Sequence, residues 1–259
     1  MKAELSLALA LLAGCAAVPQ AEGPRIESGA IVGNATDPRN RARVRTELAS
    51  LYYSRGNMNV ALEELRLAVA ADPSFATAHG MFGLVYMELR EKVLAQASFE
   101  RALALSPEDP DINHNYGWFL CQTGREGESN EYFMRALRNP LYATPARSWT
   151  TAGTCALRSG TLREADNYLQ RALAIDSSQP AALLQLAQLR YRQGSLDEAR
   201  KLVARHAKVV DTTAESLWLA LRIERRLGQR DNALSYANQL RRRFPQSGEA
   251  QALQRGAYE

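Results

Sequence analysis

Cysteine and histidine are the side chains best able to do chemistry, and this 259-residue chain is sparing with both. Its cysteines stand at positions 15, 121 and 155, and its histidines at 79, 114 and 206. The histidines are scattered. His79 and His114 fall on neighbouring helices of the repeat described below, but two ligands do not make a closed metal site. There is no HExxH, no Walker loop and no GxGxxG after a strand. Carboxylates are plentiful, yet they lie on solvated helices, and no nucleophile is accompanied by a base in a motif. The chemistry that remains belongs to thiols and to surfaces. The sequence predicts a protein that is not an enzyme, with no cofactor, no metal and no small-molecule substrate.

The elements that carry these residues are helical. Alanine, leucine, arginine and glutamate dominate, β-branched residues are few, and no alternating strand pattern persists. The stretch 76–107, ATAHGMFGLVYMELREKVLAQASFERALALSP, reads as two helical runs broken near Arg90–Lys92 and closed by proline. Small residues (Gly83, Ala95, Ala102) alternate with large ones (Phe82, Tyr86, Phe99), so two helices can lie close with aromatics filling the gap. The same frame recurs along the chain. The small residue opening each second helix is Ala61, Ala95, Ser129, Ala165, Ala199 or Ala233, at spacings of 34, 34, 36, 34 and 34. This period and pattern resemble the tetratricopeptide repeat. The expected fold is all-α: a right-handed superhelical solenoid of six such repeats over 42–245, with a short capping helix in 246–259. The two-residue excess falls in Asn139–Pro145, where prolines at both ends force a turn and a local change in packing.

Before the repeats stands MKAELSLALALLAGC. Its apolar run is too short to span a bilayer as a mature helix. Leu12-Ala13-Gly14-Cys15 resembles the lipobox of bacterial lipoproteins, in which the signal is cut before the cysteine and the thiol is diacylated. That resemblance implies a signal peptide at 1–14 and a lipid anchor on Cys15, several acyl chains giving stable attachment. Alanine at 16 rather than aspartate favours, by the same likeness, the outer membrane. Residues 15–41 are rich in proline, glycine and small polar side chains and read as a flexible tether.

An exported chain meets an oxidising compartment, and with Cys15 lipidated two cysteines are left. Cys121 and Cys155 sit on the first helices of consecutive repeats. They lie two places apart in the repeat frame, which at 100° per residue sets them about 160° apart around the helix axis. Facing each other across neighbouring helices, they fit a disulfide; two buried small hydrophobes are the other reading.

In tetratricopeptide arrays the first helices line a concave groove that takes a partner's peptide. Here that lining includes Arg43, Thr46, Tyr53, Leu84, Met87, His114, Trp118, Gln122, Arg147, Thr150, Tyr191, Trp218, Arg222 and Arg225. Trp118 and Trp218 stand out as partner anchors, against the alternative of packing between repeats. Charge is unevenly spread: residues 42–145 carry 10 basic and 13 acidic side chains, residues 180–259 carry 14 and 8. The basic end lacks the aromatic interleaving and the motif of a nucleic-acid binder, so it reads as a solvated arginine-rich face.

Three stretches narrow the likeness: Ile112–Cys121 (INHNYGWFLC), Asn139-Pro140-Leu141-Tyr142 with Ala152-Gly153-Thr154-Cys155, and Ala214–Leu219 (AESLWL). With the lipobox and six repeats they resemble the type IV pilus biogenesis lipoproteins of the PilF/PilW family, over about 42–245. Thr151 stands where that pattern leads us to expect asparagine. The resemblance implies a pilotin, lipid-anchored in the outer membrane and facing the periplasm. Such a protein binds the pilus secretin and promotes its localisation and assembly into a ring. The secretin contact is expected at the amino-terminal repeats, at Tyr52, Tyr53, Leu84 and Met87. A periplasmic adaptor for cell-wall hydrolases or outer-membrane protein assembly shares anchor and fold and differs in its partner.

Overall fold

The computed structural model describes residues 37–258, and among them every regular element is an α-helix. Six antiparallel pairs follow one another: α1 (Pro38–Ser54) with α2 (Met58–Ala71), α3 (Ala76–Glu88) with α4 (Lys92–Leu105), and α5 (Pro110–Gln122) with α6 (Glu126–Arg138). Then come α7 (Pro145–Arg158) with α8 (Leu162–Ile175), α9 (Pro180–Arg192) with α10 (Leu196–Val209), and α11 (Ala214–Arg226) with α12 (Arg230–Arg243). A thirteenth, α13 (Gly248–Arg255), closes the array. Each first helix packs on its own second helix and on the first helix of the next pair. The fold is an all-α tetratricopeptide solenoid.

The periodic small residues do the work that their size predicts. Ala61, Ala95, Ser129, Ala165 and Ala199 have no exposed surface, and Ala233 is nearly as buried. Opposite them, glycine permits the closest approach. A Cβ on Gly83 would sit 2.6 Å from the buried Phe99 ring, and one on Gly153 would sit 2.8 Å from Leu169. The turn between paired helices requires a left-handed residue, supplied by Gly56, Gly124, Gly160, Gly194 and Gly228, with φ between 73° and 84°. In the second repeat the slot is filled by Arg90, at φ 63°. Only there, among the described residues, does an L side chain carry the cost of that conformation.

One expected boundary moves. Residues 38–41, assigned to the tether, are the first turn of α1. Pro38 explains this: its fixed φ suits a first helical position, where no amide hydrogen is required. The Arg39 guanidinium lies 5.9 Å from the Phe75 ring centre, which ties that turn to the start of α3. The signal peptide, Cys15 and the tether up to residue 36 lie outside the described residues.

The two-residue excess is absorbed by a plugged turn. Asn139 accepts the Leu141 amide on its side chain at 2.9 Å, and Tyr142 turns inward to bury its ring. The Tyr142 hydroxyl meets Ser148 Oγ at 2.9 Å, and Ser148 Oγ meets His114 Nδ1 at 2.7 Å. A hydrogen-bonded chain thereby fastens α5 to α7 across the junction. Beside it, Cys121 and Cys155 sulfurs are joined, with Cα atoms 5.8 Å apart, and pack with Phe133 and Ala152. Thr151 donates its hydroxyl to the Arg147 carbonyl at 2.9 Å, within its own helix.

Towards the carboxy terminus, side-chain capping takes two forms. Thr213 and Ser216 form a reciprocal capping box on α11, and the Ser247 hydroxyl accepts the Ala250 amide on α13. Ala250 and Leu253 cover Leu217, Leu221 and Leu240, and the outer face of α13 is polar.

Candidate protein-binding groove

The helical period sets which residues face the groove. Because the repeats are in register, one position per first helix forms each row of its lining. Near the amino terminus, Arg43, Glu47 and Ser50 on α1, Thr77, Gly80, Met81 and Leu84 on α3, and Asp111, Ile112 and Asn115 on α5 surround a depression of about 490 Å³. Its floor is apolar (Met81, Leu84, Ile112, Phe75) and its rim is charged (Arg43, Glu47, Asp109, Asp111). Gly80 leaves room there, because a Cβ would reach the Ile112 side chain at 3.4 Å. Arg43 is held by Glu47 at 2.6 Å and by Asn40 at 2.8 Å. Desolvation, then the neighbouring Asp109, hold the Asp111 carboxyl above its ordinary range.

A second depression lies further along the same rows. Thr154, Leu157 and Arg158 of α7, Gln185, Gln188 and Arg192 of α9, and Glu215 of α11 line it. Side-chain bonds cross its floor from helix to helix: Thr154 to Gln185 at 2.9 Å, and Gln188 to Glu215 at 2.6 Å.

The residues singled out in the sequence divide three ways. Leu84 lines the amino-terminal depression, and Tyr53 and Met87 share a neighbouring row, both half-buried. Burial, and then the Glu88 carboxylate, push the Tyr53 phenol upward against an opposing pull from Arg147. Tyr52 is half-buried like Tyr53, and both pack against the first-repeat core. Trp118 is half-buried against the Cys121–Cys155 cluster. Trp218 is not a bare anchor, because Tyr258 stacks on it with centroids 5.7 Å apart and planes 17° apart. Thr46 lines the amino-terminal depression, while His114 and Thr150 are buried; the two threonines return their hydroxyls to the Ala42 and Ala146 carbonyls. Trp149 and Tyr258, not weighed from sequence, prove to be partners of Arg171 and Arg225, at 4.8 and 3.4 Å from ring centre to guanidinium carbon.

The described residues gather no group of three or more His, Cys, Asp and Glu side chains able to hold a metal. Their single serine–histidine hydrogen bond, Ser148 to His114, is sealed from solvent. Burial, with the Arg147 charge adding to it, pushes the His114 imidazole down to about 3. A buried neutral imidazole of that kind braces a helix junction and cannot meet a substrate.

Tetratricopeptide-repeat family profiles match residues 46–110, 156–222 and 216–247. The chain is 32% identical over 203 residues to the type IV pilus assembly protein PilF of Pseudomonas aeruginosa PAO1, covering 78% of this chain and 81% of that one. The chain belongs to the PilF/PilW family. Solved structures agree. PilW, described as a widely conserved type IV pilus biogenesis factor, superposes with a TM-score of 0.76 at 33% identity, over 82% of this chain and 97% of that one. Pseudomonas aeruginosa PilF does so with a TM-score of 0.77 at 30% identity, over 85% and 99%. This member of the PilF/PilW family is thus a tetratricopeptide protein of type IV pilus biogenesis, built on a repeat that serves as a protein-interaction scaffold.

Proposed function

We propose that this protein is a pilotin: an outer-membrane lipoprotein, anchored through Cys15 and facing the periplasm, that binds the pilus secretin and promotes its outer-membrane localisation and multimerisation. The observation that carries this reading is likeness to PilF over four-fifths of both chains, joined to an apolar-floored groove in the repeats nearest the anchor. Tyr52, Tyr53, Leu84 and Met87 supply the apolar contact, and the acidic and basic rim supplies register. The acyl chains keep the protein at the membrane and the groove holds the secretin. Joining the two raises the secretin's effective concentration where the ring must form. Both sulfurs of the Cys121–Cys155 pair are oxidised in the periplasm and lock the third repeat to the fourth.

The test is a Cys15→Ala strain. The variant folds, leaves the membrane fraction and abolishes secretin multimers at the outer membrane. Normal secretin rings in that strain would remove the anchoring step from the account.

A further inference from the structure

In the last three repeats the arginines separate into two classes. Arg190 is bonded to Asp166 at 2.8 Å and to Glu198 at 2.7 Å, and Arg200 to Glu224 at 2.8 Å. Arg192, Arg222, Arg225 and Arg226 have no carboxylate within ion-pair distance among the described residues. Arg192 lies in the last turn of α9, Arg225 and Arg226 in the last turn of α11, and Arg222 one turn before them. Three of them are held in place by aromatic rings instead. Arg222 and Arg226 lie 4.6 and 4.9 Å from the centre of the Tyr191 ring, and Arg226 also donates to the Tyr191 carbonyl at 3.0 Å. Arg225 covers Tyr258. The Arg222 Nε is buried without a hydrogen-bond acceptor. Glu215 borders the same stretch, and one of its oxygens is taken by Gln188.

We infer that the carboxy-terminal half of the groove is a second binding site, for an extended acidic peptide whose carboxylates pair with Arg192, Arg222 and Arg226. Guanidinium groups stacked on a ring are already oriented, so less side-chain freedom is lost when they take a carboxylate in bidentate fashion. Their positive field also speeds the approach of an acidic segment. Neighbouring first helices stand about 10 Å apart, and a peptide extended in the polyproline II form advances about 3.1 Å per residue with three residues per turn, so that positions i and i+3 share a face. Carboxylates about three residues apart therefore match the step from α9 to α11, which gives the motif Glu-x-x-Glu. Gln185 and Gln188 on the adjoining floor offer amide donors and acceptors that match the alternating N–H and C=O groups of a peptide backbone. The amino-terminal half is rimmed by three carboxylates, Glu47, Asp109 and Asp111, against Arg43, and is the more acidic of the two. One solenoid then holds two partner segments of different chemistry.

This inference rests on the groove being a protein-binding surface, but not on the secretin being the partner. Its test uses no secretin, so the two readings fail separately. A fluorescein-labelled peptide pool with glutamate fixed at positions i and i+3 and neutral residues randomised is titrated against the folded chain lacking its signal peptide. The same pool with glutamine at those positions is the control, and polarisation is the readout. The expected result is binding of the glutamate pool about tenfold tighter than the glutamine pool, weakening with salt. It is lost in Arg192→Gln/Arg222→Gln and retained in Arg43→Gln, with all three proteins showing the same helical circular dichroism. Equal binding of the two pools, no binding, or binding unchanged by the double variant overturns the inference. So does binding to phosphatidylglycerol vesicles, lost in the double variant, without peptide binding.

Discussion

Arg200 holds both carboxylate oxygens of Glu224, Nε to Oε1 at 2.8 Å and Nη2 to Oε2 at 2.9 Å, across the seam between α10 and α11. One repeat earlier the equivalent positions are Asp166 and Arg190, bonded at 2.8 and 3.1 Å with the charges exchanged. A repeat that slipped into its neighbour's place would bring like charges together at this seam. The exchanged pairs therefore disfavour wrong stacking as well as joining the right neighbours. Glu224 is almost fully buried, and its other support is Asn232 at 3.1 Å. Arg200→Ala leaves that carboxylate without its cation and, with the arginine itself half-exposed, costs about 1–2 kcal/mol in urea unfolding. Adding Glu224→Gln to it recovers about half of the loss. A double variant no more stable than Arg200→Ala would show that the pair does not act as a unit.

His114 makes stability depend on pH. Its ordinary value is 6.5 and burial depresses it to about 3 in the folded chain. Between those values the unfolded chain binds the extra proton, so stability rises with pH. The contribution is complete above 6.5 and is lost as pH falls toward 3. The slope from this residue is about 1.4 kcal/mol per pH unit in the middle of that window. His206, also lowered by burial, adds in the same direction. In His114→Gln the melting temperature falls less steeply between pH 6.5 and pH 4.5 than in the wild type; parallel curves would contradict the assignment.

Arg90 is the place where the repeat violates its own rule. A left-handed L residue costs about 1–2 kcal/mol, and glycine there costs about 0.5–1 kcal/mol through the unfolded chain. Arg90→Gly raises the stability by about 0.5–1 kcal/mol, read as a higher urea midpoint at unchanged slope. A lower midpoint would mean that Arg90 makes contacts worth more than the strain.

The Cys121–Cys155 link closes a loop with a sequence separation of 34. Closing such a loop stabilises by about 3–4 kcal/mol through the unfolded chain. Cys121→Ala/Cys155→Ala accordingly melts lower, and dithiothreitol lowers the wild type but not the variant. Two titratable thiols in unfolded protein taken from the periplasm would show that the pair is reduced there.

The period was legible because it rests on local sterics: small residues at the helix crossing and a left-handed turn every repeat leave a mark in any six-fold array. The charge exchange between Asp166–Arg190 and Arg200–Glu224 lay in the same register and became a bond only when α8–α11 were seen side by side. The groove was harder to read. Tyr52 and Tyr53 are adjacent in sequence, and the 100° step between them still leaves both half-buried against the first-repeat core, outside the depression that Leu84 lines. Trp218 looked like a free anchor because its cover, Tyr258, lies forty residues on, beyond the last repeat and outside the periodic pattern. His114 and Ser148 met through the turn at Asn139–Pro145, which no repeat frame anticipates.

The most direct measurement is photocrosslinking in living cells, with a benzoyl-phenylalanine at position 84 in the groove and, as control, at position 234 on the exposed side of α12. Position 84 is expected to capture the pilus secretin and position 234 to leave it free. Secretin captured equally from both positions, or from neither while a cell-wall hydrolase or an outer-membrane assembly protein is captured at 84, would contradict the account.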